Sequence, residues 1–367
     1  MIDLSGSPAP WPEEATRLWA DRVGQAARQT DLWTVPAPRG DEVLRAALAT
    51  QLGLPEEQLT ITSSLRATAL TYARRFGHVV LERPTYPGVV PVLAGAGAQV
   101  TRASWDELLK GAFGGEPWDT VLWLTSPGRN PDGRTLRGQE RAHVAELAAE
   151  GHRVVVNETY AWFCGHAGTP AGADSAGTLH KLRGVGARLG WMAGPGCFEE
   201  AFPELLGTPP SPVWQRAWGL FFRDGGLELL REGLLAEVDA AKAAFRDRLA
   251  SAHGIDFPAF DGPNALIPLD PRAGGTRAPT TGQPEDSVAT TGQPEDSRPT
   301  TEQLEESALA AFHEEGFKVV AARHFDTEQP ALRATFFGIG AAEAGRFADA
   351  VARSPRTALR LRCQGHT

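Results

Sequence analysis

The sequence predicts an α/β chain: a mostly parallel sheet covered by helices on both faces, followed by a smaller α+β segment. Three observations predict it. Apolar, valine-rich runs alternate with helical ones across residues 41–159, the order expected of strands joined by helical crossovers. Those runs lack the strict period-two polarity of a half-exposed sheet, so they read as strands buried on both faces. Beyond residue 190 the pattern changes to long helices and a few short strands.

Taken in order, DEVLRAALATQL (41–52) and SLRATALTYARR (64–75) carry apolar residues at helical spacing and bracket a strand-like LTIT at 59–62. HVVLE (78–82), AQVTRAS (98–104), DTVLWLT (119–125) and RVVVNET (153–159) follow as strands, with the helical GQERAHVAELAAEG at 138–151 before the last of them. A long helix over 225–254 leads to strand candidates ALIPLD (265–270), KVVAARHF (318–325) and ALRATFFG (331–338), and AAEAGRFADAVARS closes the chain as a helix. The implied division is an N-terminal arm at 1–40 that belongs with the small domain, a large domain at 41–240 and a small domain at 241–367. TTGQPEDS occurs at 280–287 and again at 290–297, with an altered copy, TTEQLEES, at 300–307. The copies contain almost nothing apolar, so the segment is expected to be a solvated loop, disordered over about 274–303 and without a catalytic part.

Composition narrows the function. The 367 residues are 42% hydrophobic and 22% charged, an ordinary globular balance. A net charge of -9, with no cluster of basic residues, argues against nucleic acid as a partner. No basic-then-apolar leader opens the chain and no run reaches the length of a membrane span, so a cytoplasmic location away from membranes is expected. Cys164, Cys197 and Cys363 are too few and scattered for a disulfide framework or a metal knuckle. Among 36 Lys plus Arg only four are lysine: Lys110, Lys181, Lys242 and Lys318. A lysine retained beside glycines is therefore notable, because only lysine can lose its proton and act as an amine nucleophile.

Four stretches carry candidate chemistry. TLHKLRGVGARLGWM (178–192) sets Lys181 before glycines 184 and 186, with Arg188 seven residues on; by itself this is as readily a surface lysine. LTSPGRNPDGRTL (124–136) places Asn130 in an Asn-Pro-Asp-Gly sequence that is also ordinary turn chemistry. RVVVNETY (153–160) delivers Asn157 and Tyr160 at a strand end, and ERPTYPG (82–88) holds Tyr86 between two prolines, where an aromatic serves packing as readily as a ring platform.

Jointly and in this order the stretches resemble the class I/II aminotransferases, fold type I enzymes that use pyridoxal 5'-phosphate. The resemblance spans nearly the whole chain: Gly40 to Leu44-Arg45, Glu82 to Gly88, Asn130 to Gly133, the strand end at Asn157 and Tyr160, Thr178 to Lys181 with Gly186 to Gly190, and Arg333 in ALRATFF. The wording is most similar to the aminotransferase-like domain of MocR-type regulators, although the DNA-binding domain found ahead of it there has no counterpart in this sequence.

The resemblance implies a three-layer large domain, a smaller α+β domain and a homodimer acting on an amino acid. It implies that Lys181 bonds the cofactor aldehyde and then serves as the base. Arg188 and Thr178 would hold the phosphate with Ser64 of the loop before the helix, where Arg66, departing from the family's small residue, adds a new phosphate contact; Asn130 and Tyr160 would hold the phenolic oxygen, and Tyr86 the ring face. Arg333 would take the substrate carboxylate, with Asn130 beside it.

Four departures qualify the expectation. Asn157 stands where the family has an aspartate at the ring nitrogen; at about 4 Å and an effective dielectric of about 20, losing such an ion pair forgoes on the order of 4 kcal/mol at most. Leu65 replaces a small residue at the phosphate loop, and Val35 replaces a tyrosine that usually reaches the partner subunit. His180, in place of a small residue beside Lys181, is either an acid/base or an outward-facing polar residue. The expected activity is transamination. Elimination, decarboxylation or cyclisation in a specialised biosynthetic pathway are the alternatives, as is a degenerate homologue that binds without turnover.

Overall fold

The computed structural model describes residues 1–7, 10–29, 37–165, 168–183, 188–194, 210–271 and 299–359. Its central element is a seven-stranded sheet in the order β2-β8-β7-β6-β5-β3-β4. These are β2 (Leu59–Thr62), β3 (His78–Arg83), β4 (Gln99–Ser104), β5 (Thr120–Thr125), β6 (Arg153–Asn157), β7 (Asp174–Thr178) and β8 (Gly190–Ala193). β4, β3, β5, β6 and β7 are parallel, while β8 runs against both β7 and β2.

The valine-rich runs follow from burial on two sides. Val79, Leu81, Val121, Trp123 and Val155 pack into one core with Tyr72 of the helix Leu65–Phe76. Their neighbours Val80, Leu122, Leu124, Val154 and Val156 pack into another with Trp105 and Val144. Successive strand residues face opposite layers, so neither face is left polar. Parallel strands joined by helices bring the carboxyl ends of β2, β3, β5, β6 and β7 to one edge, the usual place for ligands in such sheets.

A second sheet has the order β11-β12-β9, all antiparallel, from β9 (Asn264–Pro268), β11 (Val320–Ala321) and β12 (Ala331–Thr335). β1 (Ile2–Asp3) pairs in parallel with β10 (Phe317–Lys318), tying the first residues to this part of the chain. The expected long helix is continuous in helical character from Gly226 to His253, with a π-helical turn at Arg231–Leu235. Its Phe245 ring lies 5.2 Å from Phe336 and 5.6 Å from Phe347 of the closing helix Ala341–Arg353.

Two expectations need correction. KVVAARHF is not one strand: it supplies the ends of β10 and β11 and then a 3-10 turn at Ala322–Phe325. TTEQLEES is not solvated loop: residues 301–307 open the helix Thr301–Glu314, and Thr300 is its cap. Thr300 Oγ1 accepts from Gln303 N at 3.2 Å while Gln303 Oε1 accepts from Thr300 N at 2.9 Å, a reciprocal capping box. Glu305 is fully buried and accepts from Arg323 N at 3.0 Å, Ala331 N at 3.2 Å and the Arg323 guanidinium at 3.0 Å. The two earlier copies, and most of the expected 274–303 loop, lie outside the described residues.

The helix start and its buried acid should differ in their contribution. Thr300→Ala is expected to cost about 1 kcal/mol, the value of a cap. Glu305→Ala, which strands two backbone donors and a cation, should cost about 3 kcal/mol. Urea unfolding of the two variants beside the wild type checks both the size and the order.

Candidate functional site

One cleft opens at the carboxyl edge of the large sheet, and the segments after β2, β3, β5, β6 and β7 contribute to its wall. Ser64, Leu65 and Arg66 follow β2, Tyr86 follows β3, and Asn130 follows β5. Asn157 and Tyr160 come from the end of β6, Thr178, His180 and Lys181 from the end of β7, and Arg188 from the approach to the antiparallel β8. Ten of the eleven site residues expected from the sequence therefore line one cavity, although they are spread over more than a hundred positions.

Arg333 is the exception. It sits in β12, 8% exposed, and does not line the cleft. Its guanidinium donates to Ser5 O at 2.9 Å, to Thr335 Oγ1 and, at 3.4 Å, to Asn264 Oδ1, and it stacks over Phe325 at 5.2 Å. Nε is buried without a partner. Burial pulls its pKa down, while the Tyr160 and Tyr86 phenols and Asp3 push the other way, which marks it as a neighbour of the cleft.

Asn157 is held from three directions. Its Nδ2 donates to Thr125 Oγ1 at 3.1 Å, and its Oδ1 accepts from Thr159 N at 3.1 Å and Thr159 Oγ1 at 2.5 Å. Thr125 N in turn donates to Glu82 Oε2 at 2.9 Å, and Trp105 Nε1 to the same oxygen at 2.6 Å. Glu82 is fully buried, which pushes its carboxyl up to about 7 against the opposing charge of Arg129.

Thr178 is committed within the fold. Its hydroxyl donates to Leu189 O at 2.9 Å and accepts from His180 N at 3.2 Å. A hydroxyl has one proton, so the 2.9 Å contact with His180 Nδ1 requires His180 to donate. His180 is thus the Nδ1–H tautomer, leaving Nε2 a lone pair. Burial, with the Lys181 and Arg66 charges, pushes its pKa down to about 3, so the ring is neutral at pH 7.

The remaining groups are less constrained. Lys181 Nζ lies 5.1 Å from the centre of the Tyr160 ring, within cation–π range. Arg66 reaches the Tyr86 hydroxyl at 3.3 Å. Ser64 caps the helix Leu65–Phe76 by accepting from Ala67 N at 3.1 Å, which leaves the amides of Leu65 and Arg66 without partners inside the helix. Asn130 Oδ1 is buried and unpartnered. Arg188 has φ +41°, a left-handed backbone uncommon for a residue with a side chain. Glycines 184 and 186 and Val35 lie outside the described residues. No group of acidic, His or Cys side chains among the described residues suits a metal, and none of their helices is long and apolar enough to cross a membrane.

Sequence reasoning missed Thr125 and Thr159, which orient Asn157, and Trp123, Thr85 and Val89, which complete the wall. The available signal was the polar residue ending each apolar run: Thr125 closes TVLWLT as Asn157 closes RVVVN.

No family model and no curated protein matches this sequence. Solved structures do. A mutant aspartate aminotransferase of Thermus thermophilus aligns over 96% of this chain and 96% of its own, with TM-score 0.71 and 17% identity. The aromatic aminotransferase of Pyrococcus horikoshii aligns over 96% and 95%, with TM-score 0.73 and 17% identity. An aminotransferase from Mycobacterium tuberculosis aligns over 96% and 90%, with TM-score 0.71 and 18% identity. The chain has the fold of these aminotransferases.

Glu82 and His180 give opposing pH dependences. Glu82, raised from 4.5 to about 7, adds stability that is present below pH 4.5 and lost as pH rises to 7. His180, lowered from 6.5 to about 3, adds stability present above pH 6.5 and lost on acidification toward 3. Urea unfolding across pH should show Glu82→Gln removing the first slope and His180→Gln the second.

Proposed function

We propose that this chain is a pyridoxal-phosphate-dependent enzyme acting on the amino group of an amino acid, with Lys181 as the residue that bonds the cofactor. The carrying observation is the meeting, in one cleft, of the Lys181 amine, an asparagine at the end of β6, a phenol and a helix amino end. The donor set fits the cofactor: the Leu65 and Arg66 amides, the Ser64 hydroxyl, Arg66 and Arg188 offer hydrogen bonds and charge to a phosphate. The buried Asn130 Oδ1 is without a hydrogen-bond partner, which leaves that end of the amide open to a ligand.

When bound, pyridoxal phosphate supplies an aldehyde that captures amines and a ring that accepts electron density. Lys181, as a free amine, is the group placed to move the substrate's Cα proton. Asn130 and Tyr160 would orient the phenolic oxygen, and Tyr86 would cover the ring face. His180 offers a neutral lone pair at Nε2, fit to accept a hydrogen bond rather than to take up a proton, and unfit to bind a dianion. Arg333 would receive a substrate carboxylate once its donors turn from Ser5 and Thr335.

The charge-free Asn157 side chain weakens the case for transamination, the expected activity, and makes elimination, decarboxylation or cyclisation chemistry in a biosynthetic pathway competitive with it. A homodimer and a division of the chain near residues 40 and 240 belong to the same reading. A second reading, binding without turnover, is favoured by Thr178, whose only proton is spent on Leu189 O.

Pyridoxal phosphate added to the purified chain should give an absorption band above 400 nm that borohydride fixes covalently. Lys181→Ala should lose the fixed cofactor entirely, and a variant that retains it would overturn the assignment. Arg188→Ala should weaken retention of the cofactor by about tenfold or more, the worth of one charge-assisted hydrogen bond, measured by equilibrium dialysis.

A further inference from the structure

Resting on that cofactor reading, we infer that Asn157 holds the ring nitrogen of pyridoxal phosphate in its unprotonated state, by donating an N–H to it. The argument is a count of hydrogens. An asparagine side chain has one acceptor oxygen with two lone pairs and one nitrogen with two hydrogens. Both lone pairs of Asn157 Oδ1 are taken, by Thr159 N at 3.1 Å and Thr159 Oγ1 at 2.5 Å. A backbone N–H can only donate, so it decides which end of the amide is oxygen. Turning the amide over would set Nδ2 against that N–H, donor against donor. One Nδ2 hydrogen goes to Thr125 Oγ1 at 3.1 Å. What Asn157 has left for the cleft is therefore a single N–H.

A protonated ring nitrogen would meet that N–H with no acceptor in a buried wall, whereas an unprotonated one accepts it. The charges nearby point the same way. Arg66 and Arg188 are cations lining the cleft, Lys181 is taken up by its bond to the cofactor, His180 is neutral, and Tyr86 and Tyr160 carry hydroxyls. Among the described residues no carboxylate lines the cavity. Glu82 lies behind Thr125 and outside the cavity wall, its Oε2 bonded by Thr125 N and Trp105 Nε1, and Glu158 takes the Thr169 hydroxyl at 3.2 Å. None of the described residues in the wall supplies the negative charge that would hold a proton on the ring. A neutral ring withdraws electron density weakly, so the site suits reactions that place little demand on it and resists those that push an electron pair fully into it.

The test uses pyridoxal phosphate labelled with 15N at the ring nitrogen, bound to the full chain and observed by NMR between pH 6 and 8. The expected resonance is that of neutral pyridine throughout, moving to the pyridinium position in Asn157→Asp. A measurement independent of any variant is the affinity for N-methyl pyridoxal phosphate, whose ring is permanently cationic. It should bind the wild type weaker than the parent cofactor by about tenfold or more. A pyridinium resonance in the wild type, or equal affinity for the two cofactors, overturns this inference and leaves the cofactor assignment standing. A chain that takes up neither cofactor overturns the assignment itself, and the inference with it.

Discussion

Gly177 has no side chain because the Trp191 indole fills the place where one would be: a Cβ there would fall inside the ring. The rest of the site depends on that contact. It lets β8 lie against β7 at the antiparallel step of the sheet. A Cβ on the facing Gly190 would fall 2.8 Å from Gly177 O and from Thr62 Oγ1, and 3.2 Å from Leu65 N. Three chain segments thus converge without side chains between them: the end of β7, the start of β8 and the turn into the helix Leu65–Phe76. Trp162 Nε1 then fixes the Thr178 carbonyl at 3.0 Å. Lys181 and Ser64 line one cavity where the close approach at Gly177 and Gly190 brings these segments together.

The same contact explains what could be read from the sequence and what could not. β3, β5 and β6 were legible because they are buried on both faces and spell Val, Leu and Trp. β7 spells Asp-Ser-Ala-Gly-Thr, in which tertiary demands override strand propensity: Gly177 answers to Trp191, and buried Asp174 answers to Tyr72, whose hydroxyl it accepts at 2.7 Å. Local pattern carries no trace of a partner a hundred residues away. The candidate site residues were legible only jointly, through the order of the motifs that carry the resemblance, since a polar residue that ends an apolar run or stands in a turn is ordinary by itself and Arg333 lies within a strand. Their hydrogen-bond partners were not. Nothing in HKLR reveals that Thr178 and His180 close a circuit with Leu189, or that Arg333 is claimed by Ser5 O.

Much of the polar machinery is thus satisfied by the chain itself. Thr178, Asn157 and Arg333 each have partners of their own, while Lys181 and Asn130 face the cleft with capacity to spare. Preorganisation of this kind limits the cost of ordering side chains when a ligand arrives. It also fixes which end of each group a ligand meets, so orientation in this pocket is set by the threonines behind the wall as much as by the residues in it.

The capped helix at Thr301–Glu314 has a different consequence, for how this chain can change length. Leu304 N donates to Thr300 O at 3.0 Å, an early bond of the helix. At the equivalent place the two upstream copies of the repeat carry Pro284 and Pro294, and proline has no N–H to give. Of three nearly identical octapeptides only the last can open this helix in that way. A change in the number of ten-residue units ahead of Thr300 would therefore leave in place the frame in which Glu305 meets Arg323.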